Sequence, residues 1–77
     1  MHELGIVQGV VEAAEERCEG RKILRLVMEI GKASGVLPDA VRFAWDVATE
    51  GTLAQGAALE IVELPGTSVK VVRMEVS

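Results

Sequence analysis

The sequence is poor in the side chains that build metal clusters and stacking platforms. It has one cysteine, one histidine and no tyrosine, and Phe43 and Trp45 are its aromatic residues. A lone cysteine cannot form an internal disulfide, and one thiol with one imidazole cannot complete the four ligands of a structural zinc site. Two aromatic rings are too few for a base-stacking surface. Because the net charge is −4, the chain also lacks the basic excess of nucleic-acid-binding proteins, and we expect no nucleic-acid partner.

Long apolar runs are also missing. No stretch approaches the roughly 20 residues that span a bilayer, and the first residues lack the basic start and long apolar segment of a signal peptide. These absences predict a cytoplasmic protein with no membrane partner, and the single Cys18 fits that compartment. With 49% hydrophobic and 26% charged residues, residues 1–77 have the composition of one small globular domain.

Sequence motifs of common enzymes are absent as well. There is no glycine-rich phosphate loop and no GxSxG nucleophile motif. Cys18 and His2 lie at opposite ends of one predicted helix, about 24 Å apart at 1.5 Å per residue, so they cannot act as a nucleophilic pair. Adjacent carboxylates such as Glu15 and Glu16 on an exposed helical face are most often solvated charge. We predict that the protein is not an enzyme.

The first predicted helix covers residues 4–18. Its apolar residues recur at spacings of three and four and so fall on one stripe, and Gly20 is the expected stop. Gly5 and Gly9 lie one turn apart within it, and each weakens a helix by up to about 1 kcal/mol relative to alanine. Close packing against the sheet is the favoured explanation. The alternative is a docking face where the backbone of a partner approaches.

The next segment, residues 22–30, alternates between apolar and polar side chains and predicts a strand. One face of this strand is expected to be covered, and that face carries Leu24, Leu26, Met28 and Ile30. A second helix follows, with Pro38 in its first turn, where the missing N–H is harmless. Its apolar stripe includes Trp45, which we expect in the core.

Residues 58–64 and 69–76 predict two further strands. The turn residues 65–68 are too few for anything but a reversal, so these strands are expected to be antiparallel neighbours. The chain thus follows the order helix, strand, helix, strand, strand. This order predicts an α+β fold with two helices packed on one face of a three-stranded sheet. The other face is only half polar, which leaves room for a homo-oligomer contact.

The chain begins Met1-His2-Glu3, and His2 is its only histidine. A metal ion could take the α-amine, the backbone nitrogen of His2 and its Nδ1, closing two small chelate rings. A fourth donor could be the amide of Glu3 or its carboxylate. Planar, nitrogen-rich coordination suits Ni(II) or Cu(II) better than Mg(II) or Ca(II). Without further information, a solvated terminal histidine is the ordinary explanation.

Three segments recur in order in one known family. They are the Met-His-Glu-Leu start, the stretch at 26–66 with its Gly-Val-Leu-Pro entry to the second helix and its Leu-Pro-Gly end, and the closing Met-Glu-Val at 74–76. Together they resemble the HypA/HybF family of nickel-insertion accessory proteins for nickel-iron hydrogenase maturation. The resemblance implies a nickel site at Met1, His2 and Glu3, with His2 as the essential side chain.

The resemblance further implies a nickel metallochaperone, which binds Ni(II) at a free N-terminus and delivers it to a maturing hydrogenase large subunit. A HypB-type GTPase is the implied partner. Its candidate docking surface is formed by exposed positions of the first helix, directly behind the site: Glu12, Glu15, Glu16 and Arg17. The alternative from a different class is a protein-interaction or oligomerisation domain whose N-terminal histidine is incidental.

One departure from the family pattern is large. Members carry a zinc module with two CxxC pairs between the Leu-Pro-Gly strand end and the last strand, where this chain has only Thr67-Ser68. We therefore expect no structural zinc in this chain, and a nickel-binding domain with a joint at 65–68. A Thr-Ser pair is also what a common restriction-site scar encodes, so an engineered removal and a naturally shortened homologue both remain open.

Overall fold

The computed structural model describes residues 2–77 and contains five elements of regular structure. They are α1 (Glu3–Arg17), β1 (Ile23–Gly31), α2 (Pro38–Ala48), β2 (Ala58–Leu64) and β3 (Val69–Val76). This order confirms the predicted α+β fold. Across residues 2–77, no helix has both the length and the apolar character needed to cross a bilayer.

Local sequence sets the ends of both helices. α1 ends at Arg17, and the chain then turns through Glu19 and Gly20, which have φ values of 55° and 74°. α2 begins at Pro38, as expected from its position. Leu37 before it is extended, with φ −94° and ψ 119°, which is the conformation that a following proline favours. Leu37 therefore caps the start of α2 through its backbone.

The sheet has the strand order β2-β1-β3, so β1 is the central strand. β1 pairs in parallel with β2 and antiparallel with β3. The last two strands therefore run in opposite directions, as predicted, but the expectation that they are neighbours is wrong. After β1, the chain crosses over through α2 and returns as β2, which lies parallel to β1 on one side. Residues 65–68 then pass over the end of β1 to reach its other side.

Main-chain hydrogen bonds hold this crossing in place. The N–H of Gly31 donates to the carbonyl of Ser68 over 2.7 Å, and the N–H of Ala33 donates to the carbonyl of Gly66 over 2.8 Å. The crossing also brings two backbones unusually close, because a Cβ built on Gly31 would lie 2.3 Å from the Gly66 carbonyl oxygen. Only glycine at position 31 leaves room for the passing chain.

The core lies between the helices and one face of the sheet, as predicted. Its fully buried members include Val7 and Val11 on α1, Val41 on α2, and Leu26 and Met28 on β1. Burial of such side chains contributes most of the stability of a domain of this size. The helical layer is thus fixed on the sheet by its apolar stripes.

Trp45 lies in the core as predicted, whereas Leu24 does not. Trp45 is 4% exposed, and its indole N–H donates to the carbonyl of Ala57 over 3.1 Å, which satisfies the one polar atom of the ring. Leu24, in contrast, is 50% exposed, so its predicted place on the covered face is wrong. The register of β1 against β3 shifts between Ile23 and Arg25, and this bulge turns Leu24 outward while Ile23 takes the buried position.

The face of the sheet away from the helices carries charged side chains. Arg25 on β1 pairs with Glu60 on β2 and with Glu75 on β3, the latter over 3.2 Å. The hydrogen bond that Arg25 donates to Glu60 is the main reason why the pKa of the guanidinium is raised. Ion pairs therefore link all three strands on this face. The homo-oligomer contact suggested for it stays a prediction.

Candidate metal site at the amino terminus

His2 is the first residue that the structure describes, and it is the N-cap of α1. Its carbonyl accepts a hydrogen bond from the N–H of Ile6 over 3.1 Å, so the backbone of His2 is tied to the first helical turn. Its side chain is exposed and makes no capping hydrogen bond. An exposed imidazole without a capping role is accessible to a ligand. Met1, the third residue of the predicted site, lies outside the described residues.

The helix start also affects which donors are available. Backbone N–H groups in the first turn of an α-helix have no partner within the helix, and Glu3 is the first residue of α1. The helix dipole places partial positive charge at this end, which opposes a bare cation but stabilises anionic donors. A metal ion here would therefore be favoured by a donor set that includes deprotonated amide nitrogens.

The carboxylate of Glu3 has a partner of its own. Its Oε2 accepts a hydrogen bond from the backbone N–H of Leu37 over 3.1 Å. This hydrogen bond, and then one from the backbone N–H of Glu3 itself, hold the pKa of the Glu3 carboxyl below its usual range. Glu3 is half-buried and carries its negative charge at the start of both helices. Sequence reasoning missed Leu37, because a main-chain donor leaves no signal in the residue type.

Within residues 2–77, no three or more His, Cys, Asp and Glu side chains lie close enough together to hold a metal ion. The structure brings His2 and Glu3 together by chain proximity. Cys18 lies at the other end of α1, is 2% exposed, and donates its thiol to the carbonyl of Glu15 over 3.4 Å. The thiol is therefore not part of the amino-terminal site.

The four predicted docking residues of α1 divide into two groups. Glu12, Glu16 and Arg17 are exposed, and their role in partner binding stays a prediction. Glu15 is half-buried, and its Oε2 accepts a hydrogen bond from the backbone N–H of Leu53 over 3.1 Å. The Glu15 carboxylate thus anchors the loop after α2, and it is less available to a partner than the sequence suggested.

The two glycines of α1 also differ from the favoured expectation. A Cβ built on Gly5 or on Gly9 would have no other atom within 4 Å, apart from the helix's own nearby backbone. Close packing against the sheet is therefore the wrong explanation for these residues. Two apolar side chains at this end of α1 are exposed: Leu4, which precedes Gly5, is 44% exposed, and Leu37, whose N–H donates to Glu3, is 63% exposed. The alternative, a docking face, stays a prediction.

Comparison with known proteins connects these features to one family. The family model described as "Hydrogenase/urease nickel incorporation, metallochaperone, hypA" matches residues 1–70. The hydrogenase maturation factor HypA of Nostoc punctiforme is 50% identical over 66 residues, which are 86% of this chain and 58% of that protein. That of Geobacter sulfurreducens is 54% identical over 66 residues, which are 86% of this chain and 60% of that protein. The chain thus spans about three fifths of the length of these curated relatives.

A solved structure gives an independent comparison of the fold. The solution structure of the Ni metallochaperone HypA from Helicobacter pylori superposes with a TM-score of 0.73. The alignment covers 100% of this chain and 94% of that chain, at 20% sequence identity. At this identity, the similarity shows a shared fold and carries no statement about individual site residues.

Proposed function

Because the chain belongs to the HypA family of nickel-incorporation metallochaperones, we propose that it binds one Ni(II) at its amino-terminal end and delivers it during maturation of nickel-iron hydrogenase. The observation that carries this proposal is the exposed imidazole of His2, which has no capping role at the helix start. The implied partners are a HypB-type GTPase and the hydrogenase large subunit, which receives the metal. The role is delivery rather than catalysis, and we place it in the cytoplasm.

The proposed donors are nitrogens of the first residues. The imidazole and the backbone nitrogen of His2, together with the α-amine of Met1, form a compact chelate that suits Ni(II). The backbone nitrogen must lose its proton to bind, and the positive end of α1 favours the resulting negative charge. Glu3 offers two candidates for the fourth position, its amide nitrogen and its carboxylate.

An exposed site at a chain end is suited to metal transfer. His2 lies on the surface, so a ligand of the acceptor protein can reach the metal without any opening of the core. Donors can then be replaced one at a time. This sequence of exchanges avoids the cost of releasing a free ion.

We also propose that residues 65–68 are the joint at which the zinc module of the family is missing. The family model matches to residue 70, and the chain spans about three fifths of its relatives. The chain has one cysteine and one histidine, so it cannot supply the two CxxC pairs of such a module. Functions of the zinc module are accordingly not assigned to residues 1–77.

A nickel titration tests the proposal directly. Ni(II) is added to the wild type, to His2→Ala and to Gln8→Ala, an exposed change on α1 that serves as the matched control. The wild type and Gln8→Ala are expected to develop the absorption band of planar Ni(II), and His2→Ala is expected to lose it. Equal nickel affinity in all three proteins would remove His2 from the site and contradict the proposal.

Acid and blocking of the amine provide two further checks. Nickel must displace protons from the imidazole and the amine, so acidification is expected to release the metal. Acetylation of the N-terminus is expected to abolish tight planar binding, because it removes the amine donor. Planar binding that survives acetylation would place the metal elsewhere.

The second candidate is a protein-interaction or oligomerisation domain. It is favoured by the open surface around Gly5 and Gly9, where intramolecular packing does not explain the glycines. The two functions differ in their dependence on His2. If His2→Ala leaves both nickel binding and partner binding unchanged, the interaction domain is the better description.

A further inference from the structure

The carboxylate of Glu3 joins two parts of the chain that are far apart in sequence. Its Oε2 accepts a hydrogen bond over 3.1 Å from the N–H of Leu37, 34 residues away. Leu37 is the N-cap of α2, and its side chain is 63% exposed. The connection is therefore made through the main chain of Leu37. It ties the first turn of α1 to the first turn of α2.

The segment that contains Leu37 is held at its other end by the sheet. The N–H groups of Lys32 and Ala33 donate to the carbonyls of Leu64 and Gly66, each over 2.8 Å. Within the segment, the N–H of Val36 donates to the hydroxyl of Ser34 over 3.1 Å. The Leu37 donor is thus presented by a segment with several fixed points. A carboxylate bound to it shares that fixed position.

We propose that the Glu3 carboxylate is a positioning group and not a nickel ligand: it holds the start of α1 against Leu37, so that the His2 and Glu3 backbone is presented to the metal in one orientation. The nickel part of this inference rests on the proposed function. A carboxylate that stays bound to Leu37 is not a donor, so the amide nitrogen is the donor that Glu3 offers to the metal.

Chelate geometry supports the same choice. Small chelate rings are formed by neighbouring backbone nitrogens, whereas a Glu side-chain oxygen on the same metal would close a larger and less favourable ring. To reach the metal, the carboxylate would also have to exchange its hydrogen bond with Leu37 for a metal bond. The Leu37 N–H would then lose its acceptor on α1.

The test uses Glu3→Ala, Glu3→Gln and, as a matched control for the lost charge, Glu12→Ala, which lies exposed on the same helix. In the metal-free proteins, hydrogen exchange of the Leu37 amide is measured by NMR. Glu3→Ala is expected to exchange roughly tenfold faster at Leu37, since one hydrogen bond to a charged acceptor is lost. Glu3→Gln keeps a carbonyl acceptor and is expected to retain most of the protection. Unchanged exchange in Glu3→Ala would overturn the connection.

Nickel binding then separates positioning from ligation. Glu3→Ala is expected to show the same planar band position as the wild type, because the donors are unchanged. Its affinity is expected to fall by about tenfold relative to Glu12→Ala, and Glu3→Gln is expected to recover it. A shifted band would make the carboxylate a ligand, and an affinity equal to that of Glu12→Ala would remove the positioning role.

A wild type that binds no nickel would overturn the proposed function and the positioning role together. The exchange measurement on metal-free protein does not depend on nickel. It therefore decides the Glu3 to Leu37 connection by itself, and the two failures can be told apart.

Discussion

Gly31 lies against Gly66 so closely that a Cβ on Gly31 would be 2.3 Å from the Gly66 carbonyl oxygen and 2.9 Å from the Ser68 nitrogen. Both atoms belong to the main chain of the crossing at 65–68, which accepts two hydrogen bonds, one from Gly31 at the end of β1 and one from Ala33 just after it. Main-chain atoms in such a crossing cannot turn away as a side chain can. The crossing that sets the strand order therefore requires a residue without a Cβ at position 31.

Gly31→Ala is expected to lower the free energy of unfolding by about 3 kcal/mol, because the new methyl group must displace the crossing chain. Urea denaturation followed by circular dichroism measures the change. A loss of less than about 0.5 kcal/mol would show that the crossing is loose. Gly5→Ala is the control, since it introduces the same methyl group where no atom outside the neighbouring helical backbone lies within 4 Å.

Gly5→Ala and Gly9→Ala are expected to stabilise the protein, each by about 0.5–1 kcal/mol. Both residues lie inside α1, where alanine loses less backbone entropy than glycine on folding. The measurement is again urea denaturation. If the surface around them is a docking face, the same substitutions are expected to weaken binding of the GTPase partner in a pull-down. Stabilised variants that bind the partner undiminished would contradict that interpretation.

The ionised carboxylate of Glu3 is expected to stabilise the folded, metal-free protein, and this contribution is expected to be lost in acid. Its pKa is lowered in the folded protein, first of all by the hydrogen bond from Leu37. The contribution is therefore complete above the ordinary carboxyl pKa and is lost as the pH falls through the lowered value of the folded state. The Leu37 amide chemical shift, followed against pH, reports this titration.

The comparison for this titration is a peptide with the same first residues. The midpoint at Leu37 is expected below the carboxyl midpoint of the peptide, and the transition is expected to vanish in Glu3→Gln. A midpoint at or above that of the peptide would contradict a hydrogen-bonded carboxylate.

Glu15→Ala is expected to reduce the free energy of unfolding by about 1–2 kcal/mol, because the Leu53 N–H loses its charged acceptor. Glu16→Ala is the matched control, because Glu16 is the next residue and its carboxylate is exposed. Its free energy of unfolding is expected to change by no more than about 0.5 kcal/mol. Thermal and urea denaturation both report the difference. Equal effects of the two substitutions would mean that the Glu15 hydrogen bond contributes nothing to stability.

On the same helix, Glu12 and Glu16 are expected to affect partner binding but not stability. Charge reversal at Glu12 and Glu16 leaves the Glu15 hydrogen bond intact and changes only exposed positions. These reversals are expected to weaken capture of the GTPase without changing the unfolding midpoint. Capture that is unchanged would remove this face from the candidate interface.

Much of the fold follows from local patterns. Spacings of three and four and the stop at Gly20 located α1, and Pro38 located the start of α2. The strand order did not follow, because residues 65–68 carry the same turn signals whether they join neighbouring strands or cross over a third one. Leu24 was misplaced because alternation was assumed to continue through a bulge that depends on pairing with β3.

The candidate site shows a similar division. His2 stands out by residue type and position, so sequence was sufficient to single it out. The contact between Glu3 and Leu37 was invisible, since any residue except proline could supply the main-chain donor. Glu15 looked like a surface charge for the same reason: its partner is the N–H of Leu53. Side chains that act on distant backbone groups require the folded structure to be recognised.

The central position of β1 has a practical consequence for building on this scaffold. The end of β2 and the start of β3 flank β1, so they lie two strand spacings apart, about 10 Å. A folded reporter domain whose own termini are about that far apart is expected to replace Thr67 without changing the separation of β2 and β3. Such a reporter would lie beside the segment that starts after β1 and ends at Leu37, because Ala33 in that segment donates a hydrogen bond to Gly66.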